Sequence, residues 1–118
     1  MRIIRIYNDE NGESHFEDRE IDLPELSHTS QLSKCIPVAG LYFRRIEPEY
    51  DGDWHNPPRR QYIVNLDGPI EITVSDGERR IIGPGEVLYV EDMTGKGHLA
   101  KPVNDRIRHT LIMPALEA

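Results

Sequence analysis

Hydrophobic and polar residues alternate in short runs along most of the chain, which is the pattern of half-buried β-strands. The runs are RIIRIY at 2–7, HFEDREIDL at 15–23, VAGLYFRRI at 38–46, QYIVNL at 61–66, IEITV at 70–74, RRII at 79–82, EVLYVE at 86–91 and RHTLIM at 108–113. Asp-Gly, Gly-Pro-Gly and Asn-Asp turn signals separate them at short intervals. This rhythm predicts an all-β antiparallel sandwich or barrel of about nine to eleven short strands with little helix.

The turns are less uniform than the strands. Ser75-Asp76-Gly77 predicts the clearest hairpin, because Asp-Gly accepts the positive φ angles of a tight turn. Only residues 28–34, HTSQLSK, suggest a short helical turn. The chain has 118 residues and neither repeats nor low-complexity tracts, so we expect a single domain over residues 1–118.

Strand parity predicts which side chains of the segment at 61–66 face the interior, since alternate residues face opposite sides of a sheet. The inward set, together with His55, is expected to be Gln61, Ile63 and Asn65. The outward set is expected to be Tyr62, Val64 and Leu66. An apolar stripe in water is unfavourable and needs cover from another sheet or a second copy of the chain, so we expect a homodimer.

Composition narrows the classes of partner. The net charge is −7 and no basic run is present, which argues against binding to nucleic acid. No apolar stretch is long enough to cross a membrane, and the opening MRIIRIYNDENGE lacks the apolar core of a secretory signal, so we expect a cytoplasmic protein. The single cysteine, Cys35, cannot form an internal disulfide and is expected to be buried.

Two turn-rich segments carry the candidate chemistry. One is DWHNPPRRQYIVNLDG at 53–68 and the other is PGEVLYVEDMTGKGH at 84–98. Each holds one histidine, His55 and His98, beside glycine or proline turns and a predicted strand. We expect these two imidazoles to converge in one pocket from distant positions in the sequence.

These segments resemble the two motifs of the cupin superfamily of small β-barrels. His55, Pro57, Gln61 and Gly68 fall at the positions that the first motif gives to His, His, Glu and Gly. In the second segment, Pro84-Gly85 leads through a strand to His98, as in the second motif. The resemblance covers residues 52–113 and implies a jelly-roll barrel, a double-stranded β-helix. It also implies that N-terminal strands, within residues 1–35, contribute to a dimer interface.

Cupins typically bind a divalent metal through histidines and a glutamate, and the resemblance carries these roles to His55 and His98. Pro57 has no donor atom and Gln61 offers a neutral oxygen, so the charge of a divalent ion would be uncompensated. We therefore expect little or no tightly bound metal. A site for Zn, Fe, Mn or Ni on His55, Gln61 and His98 stays open. Residues that would complete its shell are Glu91, Asp92 and His109.

Three functions fit these residues. The first is a metal-independent isomerase, epimerase or lyase, in which His55 or His98 is the general base and Asp92 orients it. The second is a metal-dependent cupin enzyme such as a dioxygenase. The third is a module that binds or senses a small metabolite without turnover. A fold-level resemblance does not select the reaction or the substrate.

The ligand is expected to be a small, anionic molecule. Residues proposed to contact it are Trp54, Arg59, Gln61 and Lys96. Lys96 lies between two glycines, which favours either close approach to a ligand or an ordinary exposed turn. The arginine pairs at 44–45 and 59–60 would attract a small anion if they gathered at one mouth of the pocket; the alternative is that they form surface ion pairs with Glu47 and Glu49. Adjacent residues of a strand face opposite sides, so at most two of these arginines face inward.

Overall fold

The computed structural model describes residues 1–116, which form eleven β-strands and no helix. The strands are β1 (Arg2–Asn8), β2 (Ser14–Glu20), β3 (Glu25–Ser27), β4 (Ser30–Gln31), β5 (Tyr42–Ile46), β6 (Gln61–Asn65), β7 (Ile70–Val74), β8 (Arg79–Ile82), β9 (Val87–Val90), β10 (His98–Pro102) and β11 (Arg108–Pro114). The all-β prediction is confirmed. None of the described residues belongs to a helix long and apolar enough to cross a bilayer.

The strands form two main sheets. The larger has six strands in the order β2-β1-β9-β6-β11-β5, and the smaller has three in the order β10-β7-β8. Strands β3 and β4 form a separate small hairpin. The expectation of a purely antiparallel arrangement is wrong, because β1 pairs in parallel with β9. Strand pairing within residues 1–116 also leaves the sheets open, without the closed barrel that was expected.

The two main sheets face each other across the hydrophobic core. The six-stranded sheet contributes Ile4, Ile6, Phe16, Leu88 and Val90, and the three-stranded sheet contributes Ile70, Ile72, Val74, Ile82 and Ala100. Strand β7, IEITV, shows the cause: its isoleucines and valine alternate with Glu71 and Thr73, so one face is buried. Removing this apolar area from water is the main stabilising contribution to such a fold.

Local turn residues explain why the hairpin at 75–77 was predicted correctly and the helical turn at 28–34 was not. The predicted hairpin joins β7 to β8, with Gly77 at φ +101° and its N–H donating to the Val74 carbonyl at 3.0 Å. The helical turn predicted at 28–34 is wrong, because this segment contains the β3–β4 turn and β4. There the Ser27 hydroxyl accepts a hydrogen bond from the Thr29 backbone N–H at 3.3 Å. Local bonds of this kind compete with the helix.

The N-terminal strands complete the larger sheet of their own chain. β1 lies between β2 and β9, so these residues do not need a second subunit to find pairing partners. The segment between β2 and β5 is mostly exposed and includes Cys35, whose expected burial is wrong. Strand β10 was not predicted, since HLAKP mixes histidine, lysine and proline in place of an alternating apolar pattern.

Candidate functional site

A cavity of about 200 Å³ lies between the two main sheets. Its middle is apolar and includes Ile63, Ile72 and Leu88. Its polar lining residues belong to the loop before β6 and to strands of both sheets: His55, Arg59, Gln61, Asn65 and Thr110, with His98 and two further arginines, Arg44 and Arg108. An apolar cavity with a few convergent polar groups is the usual form of a small-molecule site.

The structure brings His55 and His98 together at this cavity. Their backbones form a reciprocal bridge, with both N–H···O distances 3.0 Å, and their ring centroids are 4.7 Å apart. Gly97 permits this approach: its φ is +71°, and a Cβ there would lie 2.1 Å from the His55 carbonyl oxygen. Only glycine fits a left-handed backbone in such close contact.

His98 is buried and held by a carboxylate. Its Nδ1 lies 2.7 Å from Asp92 Oδ2, and the exposed fractions of the two side chains are 8% and 0%. Because a carboxylate accepts, Nδ1 of His98 carries the hydrogen in this pair. The nitrogen that stays available to a ligand is therefore Nε2 of His98.

His55 lies at the exposed rim and is held differently. Its Nδ1 is 2.8 Å from the Asp53 carbonyl oxygen, which only accepts, so Nδ1 carries the hydrogen and Nε2 is available. The neighbouring Asn56 amide donates to the Asp92 carbonyl at 2.9 Å, which ties the His55 segment to the loop holding Asp92. One connected set of hydrogen bonds therefore positions both imidazoles.

Two buried oxygens near the histidines have no hydrogen-bond partner among residues 1–116. They are Gln61 Oε1 and Asp92 Oδ1, on residues that are 6% and 0% exposed. Buried polar atoms are normally satisfied, so an unpaired one indicates a place for a water or ligand group. Gln61 lines the cavity, which makes its oxygen an acceptor available to a bound molecule.

The metal ligands implied by the cupin resemblance do not form a charged donor set. His55, Gln61 and His98 offer only neutral donors, which leaves the charge of a divalent ion uncompensated. In the described part of the chain, no group of three or more His, Cys, Asp and Glu side chains is placed to hold a metal. Two residues proposed to complete the shell have other partners, since Glu91 binds Arg5 at 2.9 Å and His109 binds Asp67 at 2.5 Å.

Two of the proposed ligand contacts lie elsewhere. Lys96 does not line the cavity, because its turn packs on Gly12, whose carbonyl accepts from the Lys96 N–H at 2.9 Å, and its ammonium pairs with Glu13. Trp54 is 43% exposed and borders a separate surface depression. Arg59 does line the cavity, with its guanidinium 5.4 Å from the centre of the Tyr42 ring.

Sequence reasoning missed Arg108 and Thr110. Both lie on β11 and face the cavity, with Ile112 next in the same alternation. Parity along the predicted strand at 108–113 was the signal that would have placed them inside. His109, between them, accordingly faces the opposite way and is exposed.

Neither a scan against family models nor a search of curated proteins gave a match to this chain.

Proposed function

We propose that the protein is a cupin-like enzyme that moves a proton on a small carbonyl compound bound between its two sheets, without a metal. The supporting observation is the buried His98–Asp92 pair, which presents one free imidazole nitrogen at the cavity. Two facing sheets and the meeting of the two motif histidines support the cupin-like architecture. Isomerisations, epimerisations and eliminations that proceed through an enolate all begin with removal of a proton beside the carbonyl group.

In the proposed reaction His98 Nε2 removes a proton from the carbon beside the carbonyl group of the ligand. The imidazolium that forms is stabilised by Asp92, which already accepts from Nδ1 at 2.7 Å. His55 Nε2 lies across the ring contact of 4.7 Å and supplies the second protonatable group. Histidine suits both roles, because its imidazole accepts a proton at one nitrogen while the other donates a hydrogen bond.

The test is solvent exchange at carbon, since reversible proton removal in deuterium oxide replaces C–H with C–D. The protein is incubated with a panel of neutral ketones and of 2-oxo and 3-oxo monocarboxylic acids, and proton NMR follows the loss of each C–H signal. We expect catalysed exchange in at least one compound, and a loss of about a hundredfold or more in His98→Gln and Asp92→Asn.

The matched control is His28→Gln, which changes an exposed histidine in the β3–β4 turn. This variant should exchange at the rate of the unmodified protein. Exchange that is absent throughout the panel, or that persists in His98→Gln, contradicts the proposed reaction. Persistence of ligand binding with no exchange in any variant would instead support a binding module.

A further inference from the structure

The cavity wall holds two arginines on neighbouring strands, Arg44 on β5 and Arg108 on β11. The antiparallel register pairs Arg44 with Thr110 and Arg108 with Ile46, so the arginines are diagonal neighbours on the face that lines the cavity. Arg108 is 3% exposed, while Arg44 lies on the edge strand and is exposed. Two cationic side chains therefore converge on one stretch of the wall.

Neither guanidinium has a carboxylate partner. Within residues 1–116, no Asp or Glu oxygen lies at ion-pair distance from Arg44 or Arg108, and the one hydrogen bond from these side chains joins Arg44 Nε to Thr110 Oγ1 at 3.2 Å. Arg5 and Arg80 show the contrast, since each pairs with two acidic side chains. Burying a positive charge without a partner is unfavourable.

The electrostatics of the two kinds of arginine differ accordingly. Partial loss of hydration lowers the pKa of Arg44. Burial together with the nearby charge of Arg44 lowers the pKa of Arg108, despite the opposing charge of Asp67. Burial alone would lower the pKa of Arg5, but the hydrogen bonds and charges of Glu91 and Glu17 together outweigh it, so the pKa is raised. A chain with a net charge of −7 thus leaves these two cations without an ion-pair partner at the cavity.

The position of the pair suits one end of an elongated ligand. Asn65 and Thr110 are register partners beside Arg44, and Asn65 lies four residues along β6 from Gln61, a distance of about 13 Å in an extended strand. Ile63, between them, belongs to the apolar part of the lining. Gln61 pairs with Val90, two residues before the Asp92 that holds His98, so the arginines and His98 lie toward opposite ends of this apolar passage.

We propose that Arg44 and Arg108 form an anion subsite for the carboxylate of a small aliphatic acid, with its chain along the apolar passage. Guanidinium groups bind planar carboxylates through paired charge-assisted hydrogen bonds. A carboxylate is favoured over a phosphate because the cavity is small, about 200 Å³, and largely apolar, and a carboxylate is smaller and carries less charge to remove from water. Binding of an anion at this subsite does not depend on the proposed reaction. Placing a reacting carbon near His98 does rest on the proposed function.

Calorimetric titration with hexanoate tests the subsite, with hexanol as the uncharged analogue and hexyl phosphate as the other anion. We expect saturable hexanoate binding that is at least about tenfold tighter than binding of either analogue. Arg108→Met and Arg44→Gln should each weaken it by about tenfold or more, while Arg79→Gln, an exposed arginine on β8, should leave it unchanged. Absent hexanoate binding, equal binding of hexanol, or preferred binding of hexyl phosphate overturns the proposal.

Stability of the empty protein distinguishes a ligand site from a structural role. Because Arg108 has no partner, Arg108→Met should unfold at an equal or higher urea concentration than the unmodified protein while losing hexanoate binding. A variant that is less stable yet binds hexanoate normally contradicts the subsite. Hexanoate binding is measured without any chemical reaction, so failure of the proposed proton transfer does not affect this test.

Discussion

At the scale of single residues, burial separates two similar histidine–aspartate contacts. His98 and Asp92 are 8% and 0% exposed at their side chains, whereas His109 and Asp67 are 47% and 45% exposed. Exposed pairs contribute little, because water and salt screen them. A buried pair fixes the tautomer and direction of the imidazole. The buried His98–Asp92 pair therefore orients an imidazole at the candidate site, whereas the exposed His109–Asp67 pair is an ordinary surface contact.

Asp92→Asn tests the buried contact directly. The asparagine can turn its amide N–H toward Nδ1 of His98, which favours the tautomer with hydrogen on Nε2 and removes the available nitrogen from the cavity. Nitrogen-15 NMR of the histidine rings should show hydrogen on Nδ1 of His98 in the unmodified protein and on Nε2 in the variant. We expect an accompanying loss of about 1–3 kcal/mol in the free energy of unfolding.

Asp67→Asn is the control, since it makes the same change at the exposed pair. It should alter the unfolding free energy by less than about 0.5 kcal/mol and leave the His98 signals in place. A His98 tautomer that is the same in Asp92→Asn and in the unmodified protein would show that Asp92 does not orient this ring.

At the scale of elements, glycines set how closely β10 approaches the His55 segment. Gly97 and Gly77 both have positive φ, +71° and +101°, but their surroundings differ. A Cβ at Gly97 would meet the His55 carbonyl oxygen at 2.1 Å, whereas a Cβ at Gly77 would meet nothing within 4 Å. A substitution at Gly77 therefore tests backbone strain alone, and one at Gly97 tests strain together with a steric clash.

Gly97→Ala should be much more damaging than Gly77→Ala. Gly77→Ala costs the left-handed strain alone, about 1–2 kcal/mol in urea unfolding. Gly97→Ala adds the clash, so its loss should be larger by at least about 1 kcal/mol, and the His55 and His98 backbone amides should exchange faster with deuterium. Equal losses in the two variants would mean that the approach of β10 to His55 is not tightly packed.

His15 connects the β1–β2 turn to the β7–β8 hairpin. Its ring nitrogens lie 2.7 Å from Asp9 Oδ2 and 2.7 Å from Asp76 Oδ2. Hydrogen bonds to Asp9 and then Asp76 raise the pKa of His15 above its ordinary 6.5. A raised pKa in the folded state stabilises the fold below the unfolded pKa, and this contribution is lost as pH rises through the folded pKa.

The stability difference between the unmodified protein and His15→Gln should therefore be larger at about pH 6 than at about pH 9. Urea unfolding at both values measures it, and His28→Gln at the exposed β3–β4 turn should show no such difference. At low pH the partner carboxylate matters: the hydrogen bond to His15 lowers the pKa of Asp9 below its usual 3.8. The stabilisation from the His15–Asp9 pair is therefore lost as pH falls through this lowered pKa. A difference that grows toward high pH would contradict the ion pair.

Element by element, the sequence predicts what depends on local pattern. Parity along 61–66 correctly placed Gln61, Ile63 and Asn65 on the cavity side, and the Asp-Gly signal located the β7–β8 hairpin. The parallel pairing of β1 with β9 and the strand β10 could not be predicted, because both depend on partners far away in the sequence. The site shows the same division: Asp92 and Lys96 flank the same turn, but only tertiary packing directs one inward and the other to Glu13.

At the scale of the whole molecule, the outer face of the six-stranded sheet carries an apolar row. The register aligns Phe43 of β5 with Leu111 of β11, Leu111 with Val64 of β6, and Val64 with Val87 of β9. Beside this row the Tyr62 and Tyr89 rings lie 4.6 Å apart. Phe43 is 81% exposed, and Val64, Val87 and Leu111 are half-buried. Such a contiguous apolar surface favours association.

We expect this face to pack against the same face of a second copy, because a two-fold interface joins identical patches. Light scattering coupled to size exclusion should give twice the 13.6 kDa of one chain. Val64→Glu places a charge within the row and should give a monomer, since an unpaired buried carboxylate at an interface is strongly unfavourable. Ile81→Glu is the matched control. Ile81 is 54% exposed on β8 of the other sheet, so this variant should leave the dimer intact.

An unmodified protein that is monomeric at tens of micromolar contradicts the expectation. A monomer in Ile81→Glu but not in Val64→Glu would place the interface on the three-stranded sheet.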